Sequence, residues 1–162
     1  MNMSKHQKPK AKLSPKQVDE YFRYHLPYRN RILSIHKKLC EQGPWEGDQA
    51  VLEACFEASL VTGRMYLNML GIRRSDRNDK LVAMKFRPDD VSVKDLCGKL
   101  VDVTSLPALD YDLFVGFLRM ADKGAAHLTM PMNHPWQRTH EAIERIVYYL
   151  QTNLYDVLNR EM

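Results

Sequence analysis

Residues 136–158 read WQRTHEAIERIVYYLQTNLYDVL, and this stretch decides the fold. Trp136, His140, Ile143, Ile146, Val147, Leu150, Leu154 and Leu158 recur at three- and four-residue steps, while Arg138, Glu141, Glu144 and Arg145 fall off that stripe. One apolar stripe at a 3.6-residue period is an amphipathic helix. A single helix of this kind is stable only when its stripe is covered, so the rest of the chain must supply the cover.

Toward the N-terminus the same period returns. Leu106, Leu109, Leu113, Phe114, Phe117, Leu118 and Ala121 predict a helix that starts at Ser105, carries Pro107 in its first turn and fades near Gly124. Residues 130–135 are a linker, with Asn133 as a cap for the last helix. Asp48 can cap a longer helix running from Val51 to Leu70 and stopping at Gly71. Its apolar residues cover more than one face, which predicts the centre of the bundle. Ser14-Pro15 is an N-cap followed by proline at the first helical position. That first helix runs through Val18, Tyr21, Phe22, Leu26, Leu33 and Leu39 to Gly43-Pro44, and Pro27 breaks or kinks it.

Between the second and third helices the period is lost. Residues 72–80 are polar and predict a loop. Val82, Met84 and Phe86 alternate with Ala83, Lys85 and Arg87 before the turn Pro88-Asp89-Asp90. Residues 81–103 therefore predict short extended pieces or an irregular helical turn. The expectation is an all-α, four-helix-type bundle with an irregular insert at about 81–103. It forms one domain over residues 14–162, behind a disordered basic tail at 1–13.

The 162 residues are 44% hydrophobic, enough for one buried core. No apolar run reaches the roughly 18 residues of a membrane-spanning helix, so no membrane partner is expected. The net charge is +4, but Lys5, Lys8, Lys10, Lys12 and Lys16 precede any acid, and without them 19 basic residues face 20 acidic ones. The excess belongs to the tail. Cys40, Cys55 and Cys97 are an odd, widely spaced set, which predicts free thiols and a reducing, cytoplasmic compartment.

The usual signatures of chemistry are absent. There is no glycine-rich phosphate loop and no nucleophile elbow, so no cofactor is implied. No His-Glu-x-x-His occurs, no Cys/His pair stands at zinc-finger spacing, and no metal site is expected. Glu53 and Glu57, four apart on an apolar helix, together with Arg64, give either a polar pocket or a solvent-facing strip, and the strip is the simpler reading. Tyr21, Tyr24 and Tyr28 with Arg23, Arg29 and Arg31 combine stacking groups and cations, as single-stranded nucleic-acid surfaces do. The tyrosines also have plain helical spacing, which favours core or subunit contact.

The segment from Arg119 through Asp122, Lys123 and Gly124 to Ala126, His127 and Thr129 is the most particular. A polar cluster ending in Ala-His just before the last helix resembles the HEPN superfamily. These are four-helix domains that often carry Arg-Asn-x-x-x-His at this junction. The helix ending Arg64 to Gly71 is similar to a small-residue-rich second helix in some members. The resemblance implies a homodimer in a defence or toxin–antitoxin setting. Catalytic members are metal-independent ribonucleases that bring Arg and His together from two protomers, and others are non-catalytic nucleotide-binding or partner proteins. Here His127 takes the histidine position, but Asp122 stands where the motif has arginine, followed by Lys123. An acid at that place repels the phosphate a cation should hold. A literal Arg-x4-His at Arg31 and His36 lies in the first helix, away from the family's position.

The leading expectation is therefore a non-catalytic HEPN-like interaction module with a protein partner, with Asp122 joining Glu53, Glu57 and Arg64 as candidate binding residues. One alternative is a ribonuclease centred on His127, with Lys123 or Arg119 as its cation. The other is binding of RNA or single-stranded nucleic acid through residues 21–38, with Arg23, Arg29 and Arg31 as an anion patch, and through the lysine-rich tail.

Overall fold

Ser14 opens the first helix with a reciprocal capping box: its hydroxyl accepts from the Gln17 N–H, and the Gln17 side chain accepts from the Ser14 N–H. The computed structural model describes residues 12–124 and 136–162. α1 spans Pro15–Glu20 and α2 spans Leu26–Glu41. Pro27 does not break the rod between them. Residues Tyr21–His25 widen into a π turn, with the Leu26 N–H donating to Tyr21 O. Pro27 then lies in the first turn of α2, directly after the π turn.

Asp48 accepts from the Ala50 N–H at 2.8 Å and starts α3, Gln49–Met69. Gly71, at φ +96°, turns the chain out of it. α3 touches α2, α4 (Ala108–Gly124) and α5 (Trp136–Leu150), and so is the central rod. Its Phe56, Leu60, Tyr66, Leu67 and Leu70 are buried with Phe114 and Phe117 of α4 and Ile143, Ile146 and Leu150 of α5. Among the described residues this is an all-α bundle of four rods, counting α1 and α2 as one, with a small two-stranded sheet at its side. No helix among the described residues is long and apolar enough to cross a membrane.

The region between α3 and α4 departs from the expected loop. Ile72–Arg74 form β1, which pairs antiparallel with β2, Leu81–Ala83, in the register Ile72 to Ala83 and Arg74 to Leu81. Ile72 and Leu81 are buried, so two apolar anchors hold a hairpin that polar composition obscures. A 3-10 turn at Val93–Leu96 and another at Val103–Ser105 complete the insert. Regular helix α4 starts at Ala108 rather than Ser105, because Asp102 caps the 3-10 turn and Pro107 separates it from the helix. The insert is tied down by backbone bonds: Val101 N–H to Leu70 O at 2.9 Å and Lys99 N–H to Asn153 O at 2.7 Å.

α3 and α4 approach each other at Gly63. A Cβ there would lie 2.3 Å from Phe117 Cζ and 3.3 Å from Ile146 Cδ1. Gly63→Ala gains helix propensity but must displace a buried ring. We expect urea unfolding to show a net loss of about 1–3 kcal/mol, the range for overpacking a core.

Candidate functional site

Two places gather chemistry. The first is built around the hairpin. The last turns of α3 carry Arg64 and Asn68, and the turn at Gly71 then places Arg73 and Arg74 on β1. β2 leads on to Met84, Phe86 and Arg87. The Leu81 N–H donates to the Tyr111 hydroxyl at 3.0 Å, which fastens the hairpin to α4.

Arg64, Arg73, Arg74 and Arg87 line a cavity of about 230 Å³ with Asp76 and Asp122. Asp122 is already spent. It accepts from Arg74 Nε at 3.0 Å and Nη2 at 2.6 Å, and from Arg64 Nη1 at 3.1 Å. Arg74 also holds Asp79 at 2.7 Å, and Arg119 pairs with Asp79. The guanidiniums of Arg119 and Arg74 keep the Asp79 carboxyl below the usual carboxylate range. Arg73 and Arg87 form no ion pair among the described residues, and Arg73 Nε is buried without a hydrogen-bond partner there. Arg73 and Arg87 therefore bring to the cavity lining two cations that no carboxylate among the described residues pairs with, and unpaired cations attract anions.

A second, larger cavity of about 650 Å³ adjoins this one and shares Arg64, Asn68 and Met84 with it. Tyr21, His25 and Arg29 line it together with Met84, Phe86 and the acids Asp89 and Asp90. Tyr24 and Tyr28 stand outside, 62% and 52% exposed. Their spacing suggests core or subunit contact; the wide turn at 21–25 leaves only Tyr21 and Phe22 packed on the core. Arg29 lies 5.7 Å from the Tyr28 ring centroid.

The residues named from the sequence separate accordingly. Arg64 and Asp122 do meet, in an ion pair. Glu53 and Glu57 do not join them: both are exposed, and lie about 16 Å and 10 Å along α3 from Arg64 at 1.5 Å per residue. They form the solvent-facing strip. Arg119 is not a free cation, because Asp79 holds it. Arg23 is exposed and pairs with Asp19 at 3.3 Å, and Arg31 is exposed. Lys123 stands in the last turn of α4, and His127 lies outside the described residues.

The second place is a cluster that chain spacing conceals. His36 and Cys40 are one turn apart on α2, and His140 faces them from α5. His36 Nδ1 is 3.0 Å from His140 Nε2, and Cys40 Sγ is 3.7 Å from His36 Nε2. Three ligating atoms of this group lie within 4.8 Å of one another. Trp136 stacks on the His36 ring, with centroids 4.8 Å apart and planes at 28°, and Phe56 meets it edge-on. Burial, and then the neighbouring His140, push His36 down to about 4, so the ring is neutral at neutral pH. Lys37 bridges Glu41 and Glu144 beside the cluster, at 2.8 Å to each. The legible signal was the i, i+4 pair His36 and Cys40. Nothing in the sequence brings His140, 100 residues on, to that pair.

No family model matches this chain, and neither a curated protein nor a solved structure does.

Proposed function

We propose that this chain is a non-catalytic module that binds single-stranded RNA along the paired cavities. One observation carries the reading: Arg73 and Arg87, with no carboxylate partner among the described residues, line a pocket that adjoins a larger cavity lined by Tyr21, Arg29 and Phe86. Phosphates seek the first kind of surface and unpaired bases the second. The exposed Tyr24 and Tyr28 continue the stacking surface past Arg29. A single strand fits better than a duplex, because bases must splay to reach aromatic faces. Arg23, Arg31 and the lysine-rich tail add general attraction for phosphates rather than a pocket.

HEPN-like kinship and a homodimer are compatible with this reading and are not needed for it. A ribonuclease is the weaker form, since Arg119 and Asp122 are committed to ion pairs.

The test is fluorescence anisotropy of a labelled single-stranded RNA, in EDTA, across salt concentrations. Contacts from Arg29, Arg73 and Arg87 give a slope of log K against log salt of about −2, at about −0.7 per phosphate on a single strand. The double variant Arg73→Ala, Arg87→Ala is expected to make the slope shallower by about 1.4, whatever the tail adds to both proteins. The same slope in both proteins would move binding elsewhere. Cleaved RNA would replace the binding module with an enzyme.

A further inference from the structure

We infer that His36, Cys40 and His140 hold one zinc-class divalent ion, with a fourth position open to water. The cluster sits about ten residues, roughly 15 Å, along α2 from Leu26 and Arg29, which line the groove. The inference does not depend on RNA binding.

The two imidazole nitrogens already stand close to two corners of a tetrahedron, with the thiol beside them. Zinc takes nitrogen at about 2.0–2.1 Å and thiolate at about 2.3 Å, which sets tetrahedral edges of about 3.3 Å between nitrogens and about 3.6 Å between nitrogen and sulfur. The two imidazole nitrogens are 3.0 Å apart, and the sulfur is 3.7–3.9 Å from the His36 ring nitrogens. The third edge, from Cys40 Sγ to His140, lies within 4.8 Å, so the exposed thiol swings inward by up to about 1.2 Å to complete the set. Two imidazoles and one thiolate suit a borderline-soft ion and not magnesium or calcium.

The site is held in place before any ion arrives. α2 fixes His36 and Cys40 one turn apart, α5 brings His140, and Trp136 and Phe56 clamp the His36 ring on two sides. Clamping of this kind lowers the entropic cost of binding. His36 is buried while Cys40 is exposed, so the cluster opens to solvent on its sulfur side. Binding places the sulfur on the metal and releases the thiol proton to water. Glu41 and Glu144 outnumber Lys37 nearby, which favours a cation.

The test is a cobalt(II) titration of the full chain after stripping with EDTA, followed by competition with zinc. The expected result is one equivalent bound, with a thiolate-to-cobalt charge-transfer band and the intense visible bands of tetrahedral cobalt. Cys40→Ser should abolish the charge-transfer band, and His140→Ala should weaken zinc binding at least tenfold, with the helical circular dichroism of both variants intact. Zinc should also slow alkylation of Cys40 by iodoacetamide, followed by peptide mass spectrometry in the wild-type protein, so the inference does not rest on variants alone. Wild-type protein without the band, equal affinity in Cys40→Ser, or an unchanged alkylation rate would each overturn the site. In the second case the ion would belong to other histidines of the chain.

Discussion

Asp110→Ala is expected to lower the unfolding free energy by about 3 kcal/mol at neutral pH, the lower end for breaking a buried ion pair. Asp110 is 2% exposed in the first turn of α4. It accepts from Arg145 Nε at 2.7 Å and Nη2 at 2.8 Å, and from the Tyr149 hydroxyl at 2.8 Å. It therefore ties α4 to α5 through three charge-assisted bonds. Alanine leaves three donor groups on two α5 side chains without their acceptor. Arg145 lies over the Tyr148 ring at 4.5 Å and is partly exposed, so water recovers some of the loss.

The same carboxylate gives a pH dependence. Burial raises its pKa, but the bonds from Arg145 and Tyr149 outweigh burial and leave it below the ordinary value. The unfolded chain then binds a proton more readily than the folded one. The contribution is complete above the unfolded value of about 3.9 and is lost as pH falls through the lower folded value. Asp110→Asn should flatten this acid limb when urea midpoints are compared between neutral pH and about pH 3. A variant that loses stability with acid as steeply as wild type would remove Asp110 from the account. On the other side of the pair, burial and then Asp110 push the Tyr149 hydroxyl up to about 12.

Phe56→Ala should cost more still, about 3–5 kcal/mol. Phe56 is 1% exposed and joins three helices: its ring lies 4.5 Å from Trp136 of α5 and 4.9 Å from His36 of α2, near-perpendicular to the first. Removing it empties a ring-sized space and deletes two edge contacts, each adding about 0.5–1.5 kcal/mol beyond area. Phe56→Leu keeps most of the volume and should cost less than about 1.5 kcal/mol. Chemical denaturation of both variants checks this, and equal losses would mean that shape at this seam matters less than apolar character.

The fold was legible where a side-chain period repeats. The stripe Ile143, Ile146, Leu150 and Leu154 is buried, as the 3.6 period requires, and Ser14 and Asp48 do cap their helices. The alternation from Val82 onward announced the extended chain of β2, but β1 was not legible, because three residues resting on one anchor, Ile72, look like the polar loop around them. For Tyr24 and Tyr28, exposure removes core contact from the reading and does not bear on subunit contact. One π turn changes the angular position of the next residues, and no local sequence rule announces it. The candidate sites depend on contacts across 48 residues, as in Arg74 to Asp122, or 104, as in His36 to His140. Residue types can be read along the chain, but such juxtapositions belong to packing.

The central claim is that RNA lies in the groove between the wide turn and residues 84–87, which follow β2. It is tested most directly by photo-crosslinking a thiouridine-bearing single-stranded RNA to the full chain and locating the crosslinked peptides by mass spectrometry. The account predicts crosslinks at Tyr21, Tyr24 or Tyr28 and at Phe86, reduced together by Arg73→Ala with Arg87→Ala. Crosslinks confined to the first 16 residues, or none under conditions where anisotropy reports binding, would contradict it.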